Sequence, residues 1–119
     1  MISSNDLELF VARASVDADV FELRPDYRAL LIAVDGIDPS TGMTSDPVVD
    51  ALVERAESAA REAVTIGPVE DLPHIAAWRE AYRQFGAKPQ RTRNSLEALM
   101  RRGETAMPRV NRLTDMYNA

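Results

Sequence analysis

The chain has 119 residues, 45% of them hydrophobic and 28% charged, with a formal net charge of -5 and no cysteine. This is the size and balance of one folded domain. It excludes a disordered tail, a disulfide scaffold and a thiolate metal site. The longest apolar run, around Leu30 to Val34, is far short of the ~20 residues of a membrane helix. The N-terminus lacks the basic start and apolar block of a secretory signal. A cytoplasmic protein with no membrane segment is the expectation.

In chain order, Leu7, Leu9 and Val11 alternate with Glu8, Phe10 and Ala12, a period of two that predicts a strand. Val20 to Leu23 is a weaker strand candidate. Tyr27 to Ile37 is rich in Leu, Ile and Val, and reads as a strand buried on both faces, although so short a run also suits a helix. Asp38 to Gly42 is a cluster of turn residues. Asp46-Pro47 then opens a helix, with Asp46 as cap and Pro47 in the first turn. Its buried stripe is Val49, Leu52, Val53, Ala56, Ala60, Ala63 and Val64. Gly67-Pro68 ends it.

A second helix starts at Asp71-Leu72-Pro73. Ile75, Trp78, Tyr82 and Phe85 form its core stripe, Arg79, Glu80, Arg83 and Gln84 face water, and Gly86 is the stop. A third begins at Asn94, with Glu97 at capping-box spacing. Its Leu96, Leu99 and Met100 are expected to bury, and Gly103 to close it. Val110 to Ala119 is compatible with a fourth. Strands followed by three to four helices predict an α+β domain with a mixed or antiparallel sheet, one domain over 1–119.

Charge is unevenly distributed. Residues 1–70 carry 14 acidic and 5 basic side chains, and residues 71–119 carry 5 acidic and 9 basic. Thirteen of the fourteen basic residues are arginine, whose fork suits phosphates. Two readings follow: solvated helix faces with ion pairs, or a local nucleic-acid site. The loop residues Arg91 and Arg93 are the better phosphate candidates, because a loop presents them freely. No phosphate-binding glycine loop or dinucleotide fingerprint is present. The single histidine, His74, reads as a surface or capping group. No carboxylates are arranged for a metal, and no cofactor is expected. Ser95, in a helix's first turn, has no sequence-local base to activate it.

The segment WREAYRQFGAKPQRTRNSLEALMRRG, followed by MPRVNRLTDMYNA, resembles the B-three/B-four domain of the phenylalanyl-tRNA synthetase beta chain, in its free-standing form. The likeness lies in the W-R-x-x-Y-R-x-F-G run, the R-x-S-x-E-A-L-x-R-R helix, and a proline and asparagine leading into D-x-x-N. It covers Leu72 to Asn118. The resemblance implies tRNA or aminoacyl-tRNA as partner and hydrolysis, in trans, of an amino acid wrongly esterified to tRNA. By motif, Arg112 and Asn118 match pocket-lining positions, with Asn111 and Asp115 framing them. Tyr117 stands where the synthetases have threonine.

Residue spacing alone leaves two readings of that segment. A helix puts Asn111, Asp115 and Asn118 on one face, where they suit a carbonyl and a water. Alternatively Asn111 is a helix cap and Asp115 pairs with Arg112. The family domain also continues beyond this point, so the resemblance implies that the chain is its N-terminal part. A complementary C-terminal fragment or a homo-oligomer is then the expected partner. A non-catalytic RNA- or ligand-binding module, or a structural half of a two-chain domain, is the alternative function.

Overall fold

The computed structural model describes residues 2–38 and 46–119. The turn residues expected at 39–42 lie outside them. The chain divides into two compact units, Met1–Pro39 and Ser40–Ala119.

The first unit holds two helices, α1 (Ser4–Ala12) and α2 (Ala18–Leu23). α1 starts in a capping box. Ser3 Oγ accepts from the Asp6 amide at 3.2 Å, and Asp6 Oδ2 accepts from the Ser3 amide at 3.1 Å. Asp17 Oδ1 caps α2 by accepting from the Asp19 amide at 2.9 Å. The Ile2 amide donates to Asp35 Oδ2 at 3.0 Å, which ties the segment after α2 to the start of α1. No described residue of this unit is buried.

The expected α+β architecture is therefore corrected. The described residues contain helices and no strand or sheet. The alternating stretch at Leu7 to Val11 is helical. Five residues of alternation are too few to overrule a reciprocal Ser3–Asp6 cap, which satisfies two end amides at once. The Val20 to Leu23 candidate is helical for a related reason, since Asp17 caps it. Tyr27 to Ile37 has no helix and no ladder, because a strand needs a second strand to bond to. It is not buried either: Leu30 is 86% exposed.

The second unit contains the core. α3 (Pro47–Ala63) begins where Asp46 Oδ1 accepts from the Val48 amide at 2.8 Å, with Pro47 in its first turn. Its stripe buries Val49, Val53 and Ala60. Val49 and Val53 cluster with Met107, and Leu99 packs against them. A 3-10 turn at Val69–Asp71 leads into α4 (Pro73–Gln84). α5 (Ser95–Gly103) follows, capped by Asn94, and α6 (Arg112–Asn118) ends the chain, capped by Asn111. α5 and α6 both pack on α3. A Cβ on Gly103 would stand 2.9 Å from Ala60 Cβ. Gly103 is thus the last residue of α5, and its job is to let α3 and α5 approach, not to terminate the helix.

Two stripes differ from expectation. In α4, Ile75 and Ala81 are buried, but Phe85 is 56% exposed. In α5 the side chain that buries completely is Glu97, while Leu96, Leu99 and Met100 are half-buried. The reason is electrostatic and concerns the site.

Candidate nucleic-acid interface

α4 ends at Phe85, and Gly86 adopts φ 84°. That left-handed conformation suits glycine. The Ala87 amide then bonds back to the Tyr82 carbonyl at 2.9 Å. The Lys88 carbonyl accepts from the Arg91 amide at 2.9 Å and the Thr92 amide at 2.8 Å, which closes a turn over residues 88–92. Pro89 and Asn94 are buried and anchor the two ends. Arg91 and Arg93 are exposed between these anchors, and Lys88 is exposed just before the first of them.

At the C-terminal end of the loop, α5 carries a cluster of ion pairs around Glu97. Glu97 is 0% exposed. Arg79 holds it bidentately, Nε to Oε2 and Nη2 to Oε1, both at 3.1 Å. Arg101 donates to Oε1 through Nε at 3.1 Å and Nη2 at 2.9 Å, and its Nη2 also reaches Glu70 at 3.0 Å. Arg93 Nε stands 3.8 Å from Glu97 Oε1. That separation is too long for a hydrogen bond. Burial pulls the Glu97 carboxyl upward. The hydrogen bonds and charges of Arg79 and Arg101 together outweigh that pull and hold it below the ordinary glutamate range. Arg79, expected on the water-facing side of α4, is therefore tied to α5.

Asn94 caps α5 as expected: its Oδ1 accepts from the Glu97 amide at 3.0 Å. Glu97 does not complete the capping box, because Arg79 and Arg101 occupy its carboxylate. The Asn94 Nδ2 is buried and has no acceptor among the described residues.

The basic residues thus separate into two groups. Arg79, Arg101, Arg109 and Arg112 are hydrogen-bonded to carboxylates. Arg83 pairs with Glu80 on the exposed face of α4, at 3.3 Å. Among the described residues Lys88 and Arg91 carry no carboxylate, and Arg93 has only the long approach to Glu97. Arg102, in the last turn of α5, is exposed as well. Close to the loop in sequence stands Phe85, whose ring is tilted against Tyr82 at 6.3 Å between centroids. Trp78 and Tyr82 are half-buried. The aromatic stripe of α4 therefore runs from core to surface as it approaches the loop.

The other candidate residues gather around the start of α3. Asn111 Oδ1 accepts from the Thr114 amide at 2.8 Å and caps α6. Arg112 Nε donates to Asp46 Oδ2 at 3.0 Å. Asp115 is buried and accepts from the Val110 amide and from Arg109 Nε, both at 2.9 Å. The Val110 amide is the main cause of its lowered pKa; burial opposes, and the hydrogen bond from Arg109 adds to the lowering. Arg109 also reaches Asp50 at 2.7 Å. Asp115 thus pairs with Arg109, while Arg112 pairs with Asp46. Asn118 is half-buried in the last turn of α6. Asn111, Arg112 and Asp115 are brought together, with their polar groups engaged in a cap and in ion pairs. Tyr117 is 87% exposed.

Among the described residues no group of three or more His, Asp or Glu side chains is placed to hold a metal ion. No helix among them is long and apolar enough to cross a membrane. No protein-family model, curated protein or solved structure matches the chain.

Two features of the interface lie outside the sequence expectations. The buried Glu97 had a local signal: Arg93, Glu97 and Arg101 are spaced by four, one helix face. The exposed Phe85 had none, since its spacing matched the core stripe.

Proposed function

We propose that the chain is an RNA-binding module that engages unpaired RNA, with the aminoacyl end of tRNA as its substrate class, through the loop between α4 and α5. One observation carries this reading. Within residues 71–119 most arginines are committed to carboxylates, yet Lys88, Arg91 and Arg93 stand exposed on one anchored turn. A turn fixed at Pro89 and Asn94 presents these cations with less ordering on binding than a free loop. Phosphates are the ligands that suit several guanidinium forks at once.

The exposed Phe85 supports unpaired over duplex RNA. A base lifted from a stack can lie on an aromatic face, whereas a duplex offers none. The resemblance over Leu72 to Asn118 supports tRNA as the class. The region from Asn111 to Asp115 is better suited to framing than to hydrolysis, since a cap and two ion pairs occupy its polar groups.

The test is binding of a labelled single-stranded RNA with a tRNA acceptor-end sequence, followed by anisotropy. Replacing Arg91 and Arg93 by alanine together is expected to weaken binding by at least roughly tenfold. Phe85→Ala is expected to remove about 1–3 kcal/mol of single-strand affinity. Binding unchanged by all three substitutions contradicts the proposal. Equal affinity for single strand and duplex contradicts the part assigned to Phe85.

A further inference from the structure

We propose that α1 pairs antiparallel with the α1 of a second copy of this chain, across a two-fold axis between Leu9 and Phe10. α1 has two faces. Leu7 and Val11 are half-buried and form the inner one. On the other, Leu9 and Phe10 are 58% and 61% exposed. Asp6 and Arg13 are seven residues apart, close to two full turns, so they share that outer face, one beyond each end of the apolar pair. An open groove of ≈ 780 Å³ borders this face, and Ile32 and Val34 line it as well.

Both charged groups have capacity left for a partner. The Arg13 guanidinium lies 5.3 Å from the centre of the Phe10 ring and carries no carboxylate among the described residues. Asp6 binds Ser3 through Oδ2 alone, from the amide at 3.1 Å and the hydroxyl at 2.5 Å. Its Oδ1 accepts no hydrogen bond among the described residues. A carboxylate accepts on both oxygens, so the cap and an ion pair can coexist.

Charge placement selects a second copy as the occupant. The face reads acid, two apolar residues, base, with Asp6 and Arg13 about 10.5 Å apart along the helix. Its complement is base, apolar pair, acid at the same spacing, and α1 turned end for end supplies that. The two-fold axis then sets the Asp6 of each copy opposite the Arg13 of the other, and each Leu9 opposite the other Phe10. A parallel pair sets Asp6 against Asp6 and Arg13 against Arg13, so the charges choose the antiparallel one. The unit also lacks what a unit of its size needs. Below about 40 residues a fold usually requires disulfides, a metal or association. The chain has no cysteine, and no metal-holding cluster occurs among the described residues.

Sedimentation equilibrium of the full chain, up to about 100 μM, tests this. A dimer with a dissociation constant in the micromolar range is expected. Phe10→Lys is expected to weaken it by more than roughly tenfold, because it sets two ammonium groups in an apolar seam. Phe10 is 61% exposed, so the far-ultraviolet circular dichroism of that variant is expected to match the parent. Arg13→Asp is expected to weaken the dimer by about tenfold, since two attractive pairs become two repulsive ones, and Arg13→Lys to keep it. Asp6→Asn leaves Ser3 an oxygen to bond and removes only the charge. Added to Arg13→Asp, it is expected to tighten the dimer again, because the repulsion is gone. A chain that stays monomeric over the whole range overturns the proposal. So does a dimer indifferent to Phe10→Lys or Arg13→Asp, or a double variant no tighter than Arg13→Asp alone. Loss of RNA binding in the Arg91 and Arg93 variants bears only on the loop, so the two proposals fail separately.

Discussion

The two units of the chain are built in opposite ways. Residues 46–119 bury Val49, Val53, Ile75 and Met107, and place a carboxylate, Glu97, at 0% exposure between arginines. Residues 2–38 bury nothing, and their helices rest on caps at Ser3 and Asp17. The first kind of structure is held by contacts far apart in sequence; the second rests mainly on contacts within a turn or two, with the Ile2–Asp35 hydrogen bond as a longer tie. Local caps are worth about 1 kcal/mol each, whereas a core and a buried ion cluster cost several times that to break. Substitutions should therefore have large effects in one unit and small ones in the other.

The largest effect is expected at Glu97. Glu97→Gln leaves Arg79 and Arg101 facing each other without a neutralising charge. Breaking a buried pair in this way costs about 3–5 kcal/mol, read from urea unfolding. The same cluster sets an acid limit. The folded Glu97 carboxyl titrates below its unfolded value, so the unfolded chain binds the proton first as pH falls. Its contribution is present in full above the unfolded value of about 4.3 and is lost as pH falls toward the folded one. Asp115 and Asp46 are lowered as well and add in the same direction. Stability should drop steeply below about pH 4, and less steeply in Glu97→Gln. A parallel pH profile in that variant would show that Glu97 is not the linked group.

Next comes the core. Met107→Ala opens a cavity beside Val49 and Val53. It is expected to cost about 2–4 kcal/mol. Gly103→Ala brings a methyl to 2.9 Å from Ala60 Cβ. It is expected to cost about 1–3 kcal/mol as α3 and α5 are forced apart. Unchanged stability there would mean that the two helices do not meet at this point. At the bottom of the scale stands Leu9 of α1, which is 58% exposed. Leu9→Ala is expected to shift stability by about 0.5 kcal/mol or less. A loss comparable to that at Met107 would erase the contrast between the units.

The same contrast explains what could be read from the sequence. α3 was legible because Asp46-Pro47 combines a cap and a first-turn proline. α5 and α6 were legible through Asn94 and Asn111. In residues 2–38 the period of two at Leu7 to Val11 points to a strand, whereas the helix there is set by the Ser3–Asp6 cap, a signal that the alternation does not contain. Tyr27 to Ile37 has the composition of a buried strand, and composition does not reveal that no second strand is present among the described residues. The chain's ion pairs divide along the same line. Arg101 with Glu97 is visible as a spacing of four. Arg79 with Glu97 is 18 residues apart, Arg109 with Asp50 is 59, and Arg112 with Asp46 is 66, so only the fold brings them together. That is why Arg112, Asn111 and Asp115 could be read either as a pocket or as a frame. It is also why the exposed loop cations could be separated from the committed ones only after folding.

The salt dependence of RNA affinity tests the central claim most directly. Each phosphate released from its counterions contributes a slope of about -0.7 for a single strand. Lys88, Arg91 and Arg93 therefore predict a slope of the logarithm of the binding constant against the logarithm of salt of about -2. Removing Arg91 and Arg93 together should flatten it by about 1.4. A parent slope near zero, or one unchanged by those two substitutions, would contradict the assignment of this loop to RNA.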